Sequence, residues 1–238
     1  MKPIYRTYSF EESLDSVEKI LDKENTWVLE RDNLPDSVEE IEGKVIFAYC
    51  TVIYIDLRVK QDLTDLPKRI LYAKEYECII NQVCSLLGSI KLCHEVKVNE
   101  NKIYGIFDTR YKYNIDDVIA LVAKLNSLLK SINFKFSTRN FPTIKWGIGV
   151  DYNRISLFSI PDEGNVKIWT GPALRTAKRL ASYGNMGYLD KTIMISDLLF
   201  ANMNADNREL FKINEEHDCY HGNIVDSEME EWLKKNNV

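Results

Sequence analysis

Two groups of residues in this chain have the types and spacing for phosphate or metal chemistry. The first centres on Asp56, which follows a nearly uncharged run over 44–55 and precedes Leu57 and Arg58. An unbroken apolar run rich in β-branched and aromatic side chains reads as a fully buried strand. A carboxylate where such a strand leaves the core can offer a hard oxygen to a metal ion; it can equally end the strand or cap the next helix. The second group is Arg175, Lys178 and Arg179, at i, i+3 and i+4 of a helix opened by Gly171 and Pro172, with Leu174, Ala177 and Ala181 on another face. Like charges at that spacing oppose helix formation by roughly 0.2–0.5 kcal/mol per pair. A solvated face is the ordinary reading of such a cluster. Yet no acid lies between Gly164 and Asp190, which favours an anionic partner.

The elements that must hold these groups follow from periodicity. Apolar spacing with Leu14, Val17, Ile20 and Leu21 on one face predicts a helix over 11–21. Residues 33–36, with Pro35, read as a turn. A second helix starts near Thr64, with Pro67 in its first turn, and stops at Gly88. Strands over 93–98 and 102–107 flank a hairpin turn at 99–101, and a helix follows over 115–132. Strands over 144–152 and 154–160 are expected to form a second hairpin around Asn153. A strand over 166–170 leads into the cationic helix, and short strands and helices alternate from Met194 onward. This order predicts an α+β fold, a ferredoxin-like antiparallel sheet with one layer of helices packed on it.

Composition narrows the function classes. The 238 residues are 45% hydrophobic and 28% charged, with no repeat, low-complexity tract or linker, so a single domain over 1–238 is expected. Lys and Arg number 31 against 36 Asp and Glu, a formal charge of −5, which gives no global field for nucleic acid. No segment approaches the ~20 apolar residues of a membrane span, and the N-terminus lacks a signal-peptide core. The five cysteines (Cys50, Cys78, Cys84, Cys93 and Cys219) lie in apolar runs without a C-x-x-C pair and read as small buried thiols of a cytoplasmic protein. His94, His217 and His221 lack zinc spacing. Neither G-x-G-x-x-G nor G-x-x-x-x-G-K-[ST] occurs, so a nucleotide would be held by another device.

Five segments, in order and spacing, resemble a known family: Tyr54-Ile-Asp56-Leu-Arg58, Ile103-Tyr-Gly-Ile-Phe-Asp-Thr109, Gly147-Ile-Gly-Val-Asp-Tyr152, Ile168-Trp-Thr-Gly171 and Ala173-Leu-Arg-Thr-Ala-Lys-Arg-Leu180. They look like the catalytic domain of class III nucleotidyl cyclases. Within that group they are most similar to the bacterial anti-phage pyrimidine cyclases of the Pycsar system, which make cyclic UMP or cyclic CMP. Tyr220-His-Gly-Asn-Ile224 is similar to the tail of that subfamily. The resemblance spans roughly 44–232, with a catalytic core of about 44–200.

The resemblance implies two divalent ions, Mn²⁺ or Mg²⁺, held ~3.5–4 Å apart by hard oxygen ligands beneath a triphosphate. Asp56 then supplies the first carboxylate and Leu57 its backbone carbonyl. The second carboxylate position is occupied by Asn101, preceded by Glu100, and an amide there brings no negative charge. Arg179 matches the cation that stabilises the transition state from the partner subunit, and Arg175 stands where the family has Asn. Tyr54 falls at a base-contacting position, and Lys97 and Ile168 at the two positions that read the base. Lys97 suits a uracil carbonyl, and no acceptor for a cytosine amino group is evident, which favours UTP over CTP. The resemblance further implies a head-to-tail homodimer, inactive as a monomer, whose cyclic nucleotide product is read by a separate effector during phage infection. The alternatives are a cytidylate cyclase and a degenerate dimer that binds nucleotide without turnover. A dinucleotide-forming cyclase is disfavoured because no Gly-Gly-acidic turn precedes Ile103.

Overall fold

A computed structural model of the chain describes residues 7–24, 27–37, 39–59, 63–160 and 166–236. After a helix α1 (Phe10–Leu21) and a short strand β1 (Val28–Arg31) comes the central strand β2 (Val45–Arg58), then α2 (Leu66–Leu87), β3 (Cys93–Asn99), β4 (Lys102–Phe107), α3 (Lys112–Ser137) and β5 (Lys145–Ile160). β6 (Val166–Thr170) leads into α4 (Pro172–Tyr183). The chain closes with β7 (Ile193–Ile195), α5 (Asp197–Asn202), α6 (Ala205–Glu209), β8 (Lys212–Asn214), β9 (Cys219–Gly222) and α7 (Ser227–Lys235).

The nine strands of the described residues belong to one sheet, ordered β3-β4-β2-β5-β7-β9-β8, with β1 beside β2 and β6 beside β5. The β2-α2-β3-β4-α3-β5 stretch with strand order β3-β4-β2-β5 is the ferredoxin-like arrangement. Pairing is antiparallel except for β1 with β2 and β5 with β7. The helices lie on both faces, not in the single layer expected. Ile53, Ile55 and Leu57 of β2 join α2 and α3 in one core, while Val52 and Tyr54 join Ala173, Ala177 and Ala181 of α4 in another. A strand covered on both sides has no polar alternation, which is why its sequence reads as one apolar run.

Local signals place most boundaries. The Asp65 side chain accepts from the Lys68 amide at 2.9 Å to cap α2, Pro67 sits in the first turn, and Gly88 is the C-cap. β2 does not stop before Asp56. It runs on through Arg58 because β5 pairs with it from Val45↔Phe158 to Arg58↔Lys145. The same ladder removes the hairpin expected at Asn153. That residue lies extended opposite Cys50, its Oδ1 accepting from the Arg154 amide at 2.8 Å, and a two-residue turn with positive φ is absent there. The hairpin forms later, between β5 and β6.

α1 forms as its periodicity predicts, yet none of its residues is buried, and Leu14, Val17, Ile20 and Leu21 are exposed. All five cysteines are free thiols. Cys50 and Cys219 are buried, whereas Cys78 is exposed on α2. Among the described residues no helix is long and apolar enough to cross a membrane.

Candidate active site

Cross-strand pairing sets out the site as rows of side chains on the face of the sheet that α4 covers. Asp56 pairs with Lys102, Tyr54 with Tyr104, and Tyr104 in turn with Lys97; the next row is Val52, Ile106 and Glu95. Paired residues on neighbouring strands share a face, so carboxylate, aromatic rings and lysines are brought side by side from three strands. Tyr54, 6% exposed, stacks on Tyr104 with ring centroids 5.6 Å apart and planes 4° from parallel. Burial, with smaller contributions from Tyr104 and Asp56, raises the Tyr54 phenol above its ordinary value, so it remains a hydrogen-bond donor at neutral pH.

On the β5 side of the same rows stand Gly147 and Gly149, opposite Asp56 and Tyr54. A Cβ on Gly149 would lie 2.0 Å from the Ala177 carbonyl oxygen, and one on Gly147 would lie 2.1 Å from that of Ala181. The missing side chains let the backbone of α4 rest directly on the sheet. Gly171, with φ of +129°, makes the turn from β6 into α4. Ala173, Ala177 and Ala181 form the seat of the helix. The residues at 175, 178, 179 and 182 then overhang Tyr54 and Asp56.

The result is a cleft of about 250 Å³ lined by Tyr54, Asp56, Lys102, Arg175, Lys178, Arg179 and Ser182. Four cations face one carboxylate, a net charge of three positive. Lys102 Nζ forms an ion pair with Asp56 Oδ1, and Arg58 Nε lies 3.4 Å from Oδ2. Arg58 also donates from Nη2 to the carbonyls of Ala181 at 3.2 Å and Ser182 at 3.3 Å, tying the end of β2 to the last turn of α4. The Arg179 guanidinium sits 5.7 Å from the ring centroid of Tyr183, which itself stacks on His217.

The other predicted residues fall in three places. Leu57 and Asn101 are bonded together at the hairpin: the Leu57 amide donates to the Asn101 carbonyl at 3.0 Å, and Asn101 Nδ2 donates to the Leu57 carbonyl at 2.6 Å. Lys97 is on the site face but is paired with Glu95, whose Oε2 accepts from Trp169 Nε1 at 2.5 Å. Ile168 pairs with Phe158 and points to the opposite face from Trp169, whose ring joins the core beneath α4.

No family model matches the sequence. A curated protein of Treponema porcinum named "Uridylate cyclase" is 24% identical over 196 residues, 79% of this chain and 68% of that protein. Another of Gulbenkiania mobilis, also named "Uridylate cyclase", is 24% identical over 212 residues, 85% of this chain and 82% of that protein. The crystal structure of the guanylyl cyclase Cya2 superposes with a TM-score of 0.56 at 15% identity, covering 71% of this chain and 82% of that one. The fold is that of the class III nucleotidyl cyclases.

The donors that would hold a divalent ion lie at the end of β2 and in the hairpin beside it. Three hard oxygen ligands are available, the Asp56 carboxylate, the Leu57 carbonyl and the Asn101 amide, and among the described residues no group of three or more His, Cys, Asp or Glu could hold an ion. One divalent cation fits a single carboxylate and a carbonyl when phosphate oxygens and water complete its shell. A second does not fit, because Asn101 brings no charge and turns its amide nitrogen to Leu57, and because Lys102 holds Asp56.

Sequence reasoning assigned no role to four residues in or around this cleft. Lys102 and Glu95 are legible as strand neighbours of Asp56 and Lys97 only once the register is known. Arg58 was seen as part of a motif, but its ties to α4 cross 123 and 124 positions of sequence. Asp151 is 1% exposed beneath α4, with Ser196 Oγ donating to its Oδ1 and its Oδ2 without a partner. The signal for Asp151 was an acid inside an apolar strand.

Proposed function

We propose that this chain is a pyrimidine nucleotide cyclase that converts UTP to 3′,5′-cyclic UMP and pyrophosphate. One observation carries the reading: a lone carboxylate, a cationic helix face and a tyrosine stack meet in one cleft. In the reaction the 3′-hydroxyl gives its proton to solvent as its oxygen bonds to the α-phosphorus, and the bond from that phosphorus to the bridging oxygen breaks with its electron pair leaving on pyrophosphate. Asp56 and the Leu57 carbonyl would hold a divalent cation, Mn²⁺ or Mg²⁺, which would supply positive charge for the attacking oxygen and the phosphates. Arg179 and Arg175 aim forked donors at phosphate oxygens whose charge grows as pyrophosphate leaves. Tyr54, backed by Tyr104, stacks the base, and Lys97 donates to a base carbonyl. The choice of UTP over CTP rests on the curated relatives, because Glu95 beside Lys97 is an acceptor that also suits a cytosine amino group.

The resemblance to class III cyclases supports a head-to-tail homodimer, with a cyclic nucleotide product that signals infection to a separate effector. One observation favours a second reading, a dimer that binds nucleotide without turnover: Lys102 and Arg58 take one oxygen each of Asp56.

Incubating the purified protein with Mn²⁺ and each of the four ribonucleoside triphosphates, then resolving the products by chromatography, separates these readings. Cyclic UMP and pyrophosphate should form from UTP and vanish in Asp56→Ala with the melting temperature unchanged. Nucleotide bound but not consumed supports the second reading, and nucleotide neither bound nor consumed overturns both.

A further inference from the structure

Asn101 removes a negative charge from the metal-binding end of the cleft, and the residue after it adds a positive one. Lys102 is the first residue of β4 and lies directly opposite Asp56 in the ladder. Both side chains therefore rise on the face beneath α4, and the Lys102 ammonium rests on Asp56 Oδ1 while lining the same cleft as Arg175, Lys178 and Arg179.

The charges balance in an informative way. Two carboxylates with two divalent ions carry a net charge of two positive. One carboxylate with one divalent ion and one ammonium carries the same. We propose that the Lys102 ammonium is a built-in replacement for the second divalent ion, so that each site works with one metal ion and a lysine. This rests on the reading of the cleft as a triphosphate site.

The geometry suits the role. Asp56 has about four lone-pair positions on its two oxygens, so an ammonium on Oδ1 and the Arg58 guanidinium 3.4 Å from Oδ2 still leave room for one ion on the same carboxylate. Lysine presents a compact charge with three rotatable donors, one of which holds Asp56 while the others are free for phosphate oxygens. A fixed ammonium also needs no second carboxylate, which accounts for the tolerance of Asn101 at the turn. Were Lys102 only a cross-strand partner of Asp56, its removal would lower the melting temperature slightly and leave nucleotide affinity unchanged.

The test counts metal rather than turnover. Protein saturated with 3′-deoxy-UTP, which lacks the attacking hydroxyl, is titrated with Mn²⁺ and the bound ion is counted by electron paramagnetic resonance. One Mn²⁺ per site is expected for the natural chain and two for the Asn101→Asp/Lys102→Ala double variant. Calorimetry at saturating Mn²⁺ should show Lys102→Met binding the nucleotide about tenfold more weakly, the loss of one charged hydrogen bond, with Lys102→Arg restoring most of the affinity. Two Mn²⁺ in the natural chain would overturn the proposal. So would unchanged affinity in Lys102→Met, with the fold of each variant checked by its melting curve. A natural chain that binds no nucleotide overturns the triphosphate reading itself, a distinguishable result.

Discussion

On one face of the sheet, α2 and α3 press Ile79, Val83, Leu121, Val122 and Leu125 against Ile53, Ile55 and Leu57. On the other, α4 lays Ala173, Ala177 and Ala181 on a floor that includes Gly147 and Gly149. The first face is filled by large aliphatic volume and tolerates small rearrangements of it. The second depends on volume being absent, since a single methyl group on Gly149 would meet a backbone carbonyl that cannot turn away. Close approach brings the cationic edge of α4 over Tyr54 and Asp56, so the face proposed for catalysis is the one with the smaller side chains in its core.

The comparison breaks most visibly at Arg179. Arg179→Ala should cost roughly 10²–10³ in kcat, as expected for losing a donor to developing charge, with little change in melting temperature. The resemblance to class III cyclases puts Asp56 and Arg179 of one site on different protomers, whereas within one chain they line the same cleft. Mixing Asp56→Ala with Arg179→Ala decides which pairing is used. Sites shared across a head-to-tail dimer recover about one quarter of natural activity, because half of randomly formed dimers are mixed and each has one intact site. Sites built within a chain recover nothing.

A smaller effect sharpens the contrast between the faces. Gly149→Ala should destabilise the fold by about 1–3 kcal/mol through overpacking and lose activity with it, as α4 lifts from the sheet. Ile55→Val on the opposite face should cost roughly 0.5–1.5 kcal/mol and leave activity in place. Denaturant melts and product assays on the pair check both halves, and equal losses of activity would remove the distinction.

The smallest effect concerns pH. Among the described residues two fully buried carboxylates have an oxygen without a partner, Glu75 of α2 and Asp151 beneath α4. Burial raises both above their ordinary values; for Asp151 the hydrogen bond from Ser196 opposes the shift. A raised native value means the folded state binds more protons than the unfolded one in that window. The stabilisation is full below the ordinary carboxylate value and is lost as pH rises through the raised one. Melting temperatures measured across the acidic range should therefore fall with rising pH in the natural chain, and Glu75→Gln/Asp151→Asn should flatten that slope.

The legible part of the fold was the part written in periodicity and caps. The apolar run ending at Asp56, the Asp65 cap with Pro67 and Gly88, the turn at Glu100 and Asn101, and the small-residue face of α4 each carry a local signal. Asn153 misled because a lone Asn between apolar runs resembles a turn, and only the continuous pairing with β2 keeps it extended. The candidate site was legible where one residue type implies one chemistry, as at Asp56, Arg175, Arg179 and Tyr54. Lys102, Glu95 and Asp151 were not, because each acquires its role from the residue opposite it on another strand or helix.

What the amino-acid order determined by itself is most of the elements, the apolar run of β2 and the presence of a carboxylate and a cationic helix, since these depend on residues close in sequence; that helices cover both faces of β2 was decided by packing. Tertiary structure alone decided that Lys102 meets Asp56, that Arg58 ties β2 to α4, and that Trp169 rather than Ile168 turns toward Glu95. Strand register and the seat of a helix on glycine are set by long-range packing, and one residue of slip would turn every one of those side chains to the other face.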